Sequence, residues 1–392
     1  MKKHLKIAIV AGETSGDILG SGLIRELKLQ SSIEIEFSGI GGEKMAKEGF
    51  VSDANMEKLS IMGFEGLWGN FREILSIRKN LEQRLKSNPP DVFIGIDVPD
   101  FNLTLELRLR KAGIRTIHYV SPTVWAWRSY RIHKIRKAVS LMLTLFPFEK
   151  KYYQQCKVPV EYVGHPIAKR LNPVINQNDI NSEILTFKQS HQNHQCIAVL
   201  PGSRRSEIKT LGRLFLDTVK AIHQREPNSV FLVPIANKSV GEILQETLSD
   251  RPDREYLEQC LYFFQGEHST DIMRISDVVL LASGTAALES ALLAKPTVVA
   301  YKLSFITSLF VRFTTTVKHF SMPNHLLGKP IVPEFMQSNA TVENLSNAVL
   351  SYLQDEILYT ETAQQLASIH AKLDENSDRL AANAVLTHIA AS

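Results

Sequence analysis

The chain contains little cysteine and no long apolar run. The first shortage disfavours a disulfide-rich secreted protein, and the second disfavours a protein that spans a membrane. Its three cysteines lie far apart and form no C-x-x-C pair, which indicates a reducing compartment and disfavours a disulfide-stapled secreted domain. No apolar run approaches the ~20 residues of a membrane-spanning helix. A strand pattern follows directly on Met1–His4, without the apolar region and cleavage site of a signal peptide. We therefore expect a cytoplasmic protein.

A large charge excess and the common nucleotide-binding loops are also missing. The formal net charge is only +4, so the composition does not require a nucleic-acid partner, and none is expected. The chain has neither a Walker A loop nor a G-x-G-x-x-G loop, which disfavours ATPases and NAD-dependent enzymes. An apolar content of 44% and a charged content of 22% are typical of a globular enzyme. At this length, two domains are expected.

Strands and helices alternate along the chain, which predicts an α/β fold of two Rossmann-like domains with parallel sheets facing a central cleft. The predicted strands are Lys6–Ala11, Ile33–Phe37, Val92–Ile96, Thr116–Val120, Leu141–Leu145, Cys196–Leu200, Val230–Ile235, Leu261–Phe264, Val278–Leu281 and Thr297–Ala300. We place the domains at residues 1–170 and 195–340, with a linker at 171–194 and helices at 341–392. The sequence leaves open whether those last helices pack on the first domain or on a partner chain in a homodimer.

Two loops in the second half each follow an apolar strand and lead into a helix. They are Gly202-Ser203-Arg204 and Ser283-Gly284-Thr285. The amides of such a loop and the dipole of the helix favour negative charge, and the guanidinium of Arg204 suits phosphate oxygens. Glu289, on the helix after the second loop, is a candidate acceptor for ribose hydroxyls. Two such loops in one domain predict a diphosphate ligand, and so a nucleotide-sugar site.

Carboxylates follow two strands of the first half. Glu13 lies on the Gly-rich turn after the first strand, where it could bind sugar hydroxyls. Asp17 suits the N-cap of a helix from Ile18, and Asp100 or Asn102 suits the N-cap of the helix after Asp97. Those assignments leave Asp97 at the end of a buried strand, where a general base would lie. Glu13 and Asp100 stay open as alternatives for that role.

An apolar stripe and a basic segment in the same half suggest contact with lipid. Phe64, Leu67, Trp68, Phe71 and Leu75 recur at helical spacing, in a segment rich in glycine. The stripe suits acyl chains or a membrane interface, although a helix packed on the sheet would show the same pattern. Aromatic and basic residues then alternate, with Trp125, Arg128 and Arg131 as candidates for binding the acceptor phosphate or anionic lipid.

Seven motifs, in this order, resemble those of the bacterial lipid-A-disaccharide synthase family. They are Gly12–Asp17, Gly95–Asn102, Ser121–Arg128, Phe146–Glu149, Val163–Pro166, Leu200–Arg204 and Ser283–Thr285. Ser321–Asn324 and Glu334–Gln337 extend the resemblance, and they add Asn324 and Gln337 to the expected UDP-sugar site.

The resemblance implies an inverting glycosyltransferase of the two-domain GT-B type. It would transfer 2,3-diacylglucosamine from its UDP derivative to 2,3-diacylglucosamine 1-phosphate, giving the β-1,6 lipid A disaccharide 1-phosphate and UDP. It favours Asp97 as the base and a peripheral location on the inner face of the inner membrane. Since the chain has no Asp-x-Asp triplet, we expect neither a metal nor a cofactor.

Two alternatives stay open on the sequence. A UDP-sugar 2-epimerase has the same architecture but no need for acyl-binding surfaces. A non-catalytic nucleotide- or lipid-binding protein at the membrane would need no base, and the joint presence of Glu13, Asp97 and Arg204 disfavours it.

Overall fold

Two compact α/β units make up the chain. The computed structural model describes residues 4–60, 71–126, 129–173, 180–235, 237–266, 268–302 and 319–391. Unit 1 comprises residues 1–169 together with 374–392, and unit 2 comprises residues 170–373. Each unit contains one sheet, of seven and six strands respectively, and every strand pair is parallel. The predicted pair of parallel α/β sheets is confirmed.

The sheet of unit 1 has the strand order β3-β2-β1-β4-β5-β6-β7. Its strands are β1 His4–Ala11, β2 Glu34–Ile40, β3 Val51–Ser52, β4 Val92–Ile96, β5 Arg115–Tyr119, β6 Leu141–Thr144 and β7 Val160–Tyr162. The order reverses between β1 and β4, so the loops after these two strands lie at the switch point where ligands of doubly wound sheets bind. The two loops touch, because a Cβ on Gly12 would lie 2.5 Å from Cγ2 of Val98.

Helices cover both faces of this sheet. They are α1 Thr14–Gln30, α2 Glu43–Lys47, α3 Glu57–Ser60, α4 Phe71–Ser87, α5 Pro99–Lys111, α6 Ile132–Ala138, α7 Pro147–Gln155 and α8 Pro166–Arg170, which ends at the boundary with unit 2. β4 is apolar and buried along its whole length, as expected of a parallel strand covered on both sides.

The sheet of unit 2 repeats the same order, β10-β9-β8-β11-β12-β13. Its strands are β8 Gln195–Leu200, β9 Ser229–Ile235, β10 Leu261–Gln265, β11 Val278–Ala282, β12 Thr297–Tyr301 and β13 Glu334–Met336. The switch point lies between β8 and β11, and both Gly-containing loops of this half follow those two strands. The fold therefore brings the two candidate anion loops to one place.

Ten helices are described from residue 171 onward. They are α9 Ser182–Ser190, α10 Arg205–Arg225, α11 Lys238–Ser249, α12 Arg254–Glu258, α13 Ser269–Ile275, α14 Thr285–Leu292, α15 Met322–Leu327, α16 Val342–Gln354 and α17 Glu356–Leu373 in unit 2, and α18 Ser377–Ala390 in unit 1. The helix α18 returns to pack on α1, where Ala381, Ala382 and Val385 join the core. Each of the described helices is too short or too polar to cross a bilayer.

Two predicted helix caps are wrong. The first helix begins at Thr14, with Glu13 as its N-cap residue, so Asp17 lies inside the first turn. The Asp17 carboxylate instead accepts hydrogen bonds from the amides of Gly42, Lys44 and Met45, at 2.9–3.0 Å, and so caps α2. The helix α5 has Val98 as its N-cap residue, so neither Asp100 nor Asn102 caps it.

Candidate active site

A cavity of about 850 Å³ lies at the carboxyl edge of the unit 2 sheet. Residues of both predicted anion loops line it, together with the candidate ribose ligand: Gly202, Ser203, Arg204, Ser283, Gly284, Thr285 and Glu289. The cavity is thus the switch-point crevice of a doubly wound sheet. Asn324 and Gln337 are not among its described lining residues.

The first loop is closed by a carboxylate of its own helix. Glu207 Oε2 accepts the backbone N–H groups of Ser203 and Arg204, at 3.0 and 3.2 Å, as in a capping box. Gly202 has a φ of +128°, and a Cβ there would lie 2.6 Å from atoms of Glu207, so glycine is required. Two amides that could have bound phosphate are therefore already used. The Arg204 guanidinium stays 79% exposed and lies 3.5 Å from Glu207 Oε1.

The second loop is open. Gly284 is the N-cap residue of α14. A Cβ built on Gly284 would have no described atom within 4 Å, so the space beside it is open. Among the described residues, no acceptor meets the first backbone N–H groups of α14, at Thr285 and Ala286. The two loops are therefore unequal: the second offers amides and a helix dipole, and the first offers a side-chain cation.

Glu289 and two arginines complete the cavity. Burial raises the pKa of the Glu289 carboxyl, and the charge of Arg170 partly offsets that rise. Arg274 is 8% exposed and donates from Nη1 to the carbonyl of Asn172, at 2.8 Å, while its Nε has no partner within the described part of the chain. Neither Arg170 nor Arg274 is among the site residues predicted from the sequence. The only signal for Arg274 was a lone basic residue within the apolar run Ile272–Ile275.

Asn324 forms part of a local hydrogen-bonded support. Its Oδ1 accepts the amides of Ile331 and Val332, and its Nδ2 donates to Val332 O and to Glu334 Oε1, all at 2.7–2.8 Å. Gln337 follows β13 with a φ of 50°, and its Nε2 is buried without a partner among the described residues. Asn324 therefore holds the segment that leads into the edge strand β13, and Gln337 lies directly after that strand.

In unit 1, the candidate base Asp97 follows the buried strand β4. Its φ of 53° and the φ of 41° at Val98 place two consecutive non-glycine residues in the left-handed region. The backbone N–H of Asp97 donates to Tyr119 O, at 2.9 Å. No described residue forms an ion pair with the Asp97 carboxylate. By contrast, Asp100 Oδ1 lies 2.7 Å from Arg131 Nη2. The alternative Glu13 belongs to the neighbouring loop, after β1.

The remaining acceptor-side candidates are only partly described. The indole of Trp125 donates to Glu149 Oε1, at 3.1 Å, and its ring meets that of Phe148 edge-on. Leu67, Trp68 and Arg128 lie outside the described residues. Phe71 is the first residue of α4. Its neighbour in the apolar stripe, Leu75, is 36% exposed.

The family model of lipid-A-disaccharide synthetase matches residues 7–388 of this chain. The chain belongs to the lipid-A-disaccharide synthase family. Lipid-A-disaccharide synthase 2 of Legionella pneumophila strain Philadelphia 1 is 43% identical over 98% of this chain and 97% of its own. The lipid-A-disaccharide synthase of Hahella chejuensis is 42% identical over 98% of this chain and 94% of its own. As a member of this family, the chain is a glycosyltransferase of lipid A biosynthesis.

Solved structures of UDP-sugar enzymes share the fold of this synthase-family chain. A UDP-bound structure of MnaA from S. aureus superposes with a TM-score of 0.63, covering 98% of this chain and 96% of its own, at 13% identity. UDP-GlcNAc 2-epimerase from Neisseria meningitidis gives 0.62, with coverage of 99% and 100%, at 13% identity. At that identity the likeness shows the fold alone. The synthase family match therefore takes precedence over the epimerase alternative.

Proposed function

We propose that the chain joins two diacylated glucosamine units. The donor is UDP-2,3-diacylglucosamine, the acceptor is 2,3-diacylglucosamine 1-phosphate, and the products are the β-1,6 disaccharide 1-phosphate and UDP. The observation that carries the proposal is the cavity of unit 2, because seven predicted donor-site residues line it in a chain of this family. The relatives are named for the same activity.

The donor diphosphate is proposed to bind at the second loop. The open N-terminus of α14 supplies amides and the helix dipole, and Arg204 approaches from the first loop with a charged fork. Glu289 accepts hydrogen bonds from the ribose hydroxyls. Asn324, which holds the segment leading into β13, and Gln337, which follows β13, are proposed to support this site. The guanidinium of Arg204 and the amides of α14 also stabilise UDP as it departs. No metal ion or other cofactor enters the proposal.

Asp97 is proposed as the general base. It accepts the proton of the acceptor 6-hydroxyl while that oxygen bonds to the anomeric carbon and the bond to UDP breaks, so the anomeric configuration inverts. Asp97 is preferred over Asp100 because the latter is paired with Arg131, whereas Asp97 has no ion-pair partner among the described residues. Arg131, Arg128 and Trp125 are proposed to contact the acceptor, with Arg131 also orienting Asp100.

The chain is further proposed to act at the inner face of the inner membrane. The acyl chains of both substrates partition into the bilayer, so an enzyme that collects them must approach its surface. The helix α6 carries exposed His133, Arg136 and Lys137. The apolar stripe with Leu67, Trp68 and Phe71 lies in the same half of the sequence and is proposed to supply the apolar area. Basic residues and apolar area together are what interfacial binding needs.

Mass spectrometry of the products tests the reaction. With both lipid substrates, the purified protein should form a disaccharide 1-phosphate whose mass equals donor plus acceptor minus UDP. With the UDP-sugar alone, the donor should stay unchanged. Because epimers share one mass, NMR of the second sample is needed to detect an epimerised UDP-sugar. Finding that epimer, with no disaccharide in the first sample, would overturn the proposal in favour of the epimerase alternative.

A further inference from the structure

A polar cluster is buried directly beneath the candidate base in unit 1. Asn102 and Glu106 lie one turn apart on α5, and His118 faces them from β5, next to β4 in the sheet. All three residues are fully buried. Polar groups are rarely buried this deeply without a specific role, because each loses its hydration. Neither the proposed acid–base chemistry nor the donor site uses any of the three.

The amide of Asn102 lies against the ends of two central strands. Its Nδ2 is within hydrogen-bonding distance of three carbonyl oxygens, those of Val10 and Ile96 at 3.3 Å and that of Asp97 at 2.8 Å. Val10 belongs to β1 and Ile96 is the last residue of β4. One side chain therefore joins both strands at the switch point and holds the backbone of the candidate base.

The turn that Asn102 holds is intrinsically unfavourable. Asp97 and Val98 both have positive φ, a region that L-residues avoid and that β-branched valine avoids most strongly. Such a turn persists only where its surroundings impose it. The shortest of the three contacts of Asn102 is to the carbonyl between these two residues, where it opposes relaxation of the turn.

Gly95 and the Glu106–His118 pair keep Asn102 in place. A Cβ on Gly95 would clash with Glu106 Oε1 and would come within 2.9 Å of Asn102 Cβ, so glycine leaves the notch that both side chains fill. His118 Nδ1 lies 2.7 Å from Glu106 Oε1. Burial raises the pKa of the Glu106 carboxyl above its usual value, and the neighbouring His118 offsets only part of that rise. The contact of Glu106 with His118 thus joins α5, the helix that carries Asn102, to β5.

We propose that Asn102 is a positioning residue of the transfer reaction, which fixes the Asp97 carboxylate by holding the turn from Asp97 to Val98. The inference rests on the proposed role of Asp97 as base. Asn102 touches neither substrate, so its loss acts on the rate of the chemical step and leaves substrate binding intact. Gly95 and Asn102 lie in the same sequence motif as Asp97, Gly95–Asn102.

A double-mutant cycle on the full-length protein tests this inference. Asp97→Asn should lower kcat by ~10²–10⁴-fold, because an amide cannot accept the proton. Asn102→Ala should lower kcat by ~10–100-fold with the KM of both substrates within about twofold of wild type. In the Asp97→Asn background, Asn102→Ala should lower kcat no further, since it acts only through that carboxylate.

The other outcomes distinguish the two proposals. Near-normal turnover in Asp97→Asn overturns the base and the inference together. An equal loss from Asn102→Ala in both backgrounds overturns the inference alone, because Asn102 would then act on something other than Asp97. Thr116→Val is the matched control: Thr116 is equally buried in unit 1 and donates to Ala138 O, and its loss should lower the melting temperature without changing kcat. If Asn102→Ala does not fold, Asn102→Ser, which keeps one donor, takes its place under the same criteria.

Discussion

Arg204 and Glu207 lie at the N-terminus of α10 and have different roles there. The Glu207 carboxylate occupies the amides of Ser203 and Arg204, so the first loop has little left to offer a phosphate through its backbone. The guanidinium of Arg204, held near Glu207, remains largely in solvent. A ligand that reaches this loop therefore meets an accessible guanidinium, a group that suits the oxygens of a diphosphate.

Replacing this one cation should weaken the donor site. Arg204→Ala is expected to lose ~2–4 kcal/mol of transition-state stabilisation and to weaken UDP binding, because the departing diphosphate loses a charged partner. UDP titration and kcat/KM with both lipids measure the two effects. Arg205→Ala is the matched control, since it removes the same charge one residue away and outside the cavity lining. Comparable losses in Arg204→Ala and Arg205→Ala would show a general effect of charge. If EDTA abolishes the activity of the wild-type protein and Mg²⁺ restores it, a metal ion, and not Arg204 alone, neutralises the diphosphate.

The helix α7 contributes a second carboxylate, Glu149, whose surroundings make it sensitive to pH. Its Oε1 accepts the indole N–H of Trp125 and its Oε2 accepts the amide of Phe146, both at 3.1 Å. Burial raises the pKa of Glu149 to about 7, and the hydrogen bonds from Ser121, Phe146 and Trp125 only partly offset that rise. This carboxylate joins the loops that follow β5 and β6.

The pKa shift of Glu149 should destabilise unit 1 as pH rises. The folded state holds the proton up to about pH 7, whereas the unfolded chain releases it near 4.5. Stability therefore falls between these values, by up to about 3 kcal/mol. Glu149→Gln should remove this part of the pH dependence, measured by urea unfolding followed by tryptophan fluorescence, since all three tryptophans precede residue 130. The exposed Glu161→Gln should behave as wild type, and a pH dependence unchanged in Glu149→Gln would contradict the assignment.

The sequence predicts the long elements well and the short ones poorly. Buried strands such as β4 and β11 are continuous apolar runs that stop at turn residues, so pattern alone identifies them. The edge strands β3, β7 and β13 have only two or three residues each and carry no such pattern. The cap assigned to Asp17 failed because its true partners lie 25 to 28 residues away along the chain.

Some residues of the candidate site could be predicted from the sequence and others could not. The loops at Gly202–Arg204 and Ser283–Thr285 follow predicted strands, and parallel strands bring their carboxyl ends to one edge, so their meeting in a cavity could be expected. The capping by Glu207 could have been read from its position three residues after the N-cap. Arg170 belongs to no local pattern, and the lone basic Arg274 in its apolar run does not by itself indicate a cavity. Only tertiary packing brings the two arginines there.

At the scale of the molecule, charge and apolar area of unit 1 should decide membrane binding. Arg136 and Lys137 on α6 are exposed and have no ion-pair partner among the described residues. The double variant Arg136→Glu with Lys137→Glu should weaken binding to anionic vesicles by ~30-fold or more, since each cation near the surface contributes about 1 kcal/mol. Vesicle sedimentation measures it.

Two further variants identify the surface involved. Lys209→Glu with Lys238→Glu makes the same charge change at exposed positions of unit 2 and should leave vesicle binding unchanged. Replacing Leu67, Trp68 and Phe71 by Ser should also release the protein from vesicles. If the triple variant folds and sediments as wild type does, the apolar stripe does not contact the membrane. An unfolded variant would show that the stripe belongs to the core.

The return of α18 to unit 1 sets the order in which the two units can be completed during synthesis. Unit 2 has all of its residues once residue 373 has left the ribosome, whereas unit 1 still waits for residues 374–392. Until then, the groove on α1 that receives Ala381, Ala382 and Val385 stays uncovered. The core of unit 1 therefore stays incomplete while the ribosome synthesises the roughly two hundred residues of unit 2. During that time the uncovered surface of α1 is the site at which we expect a chaperone to bind.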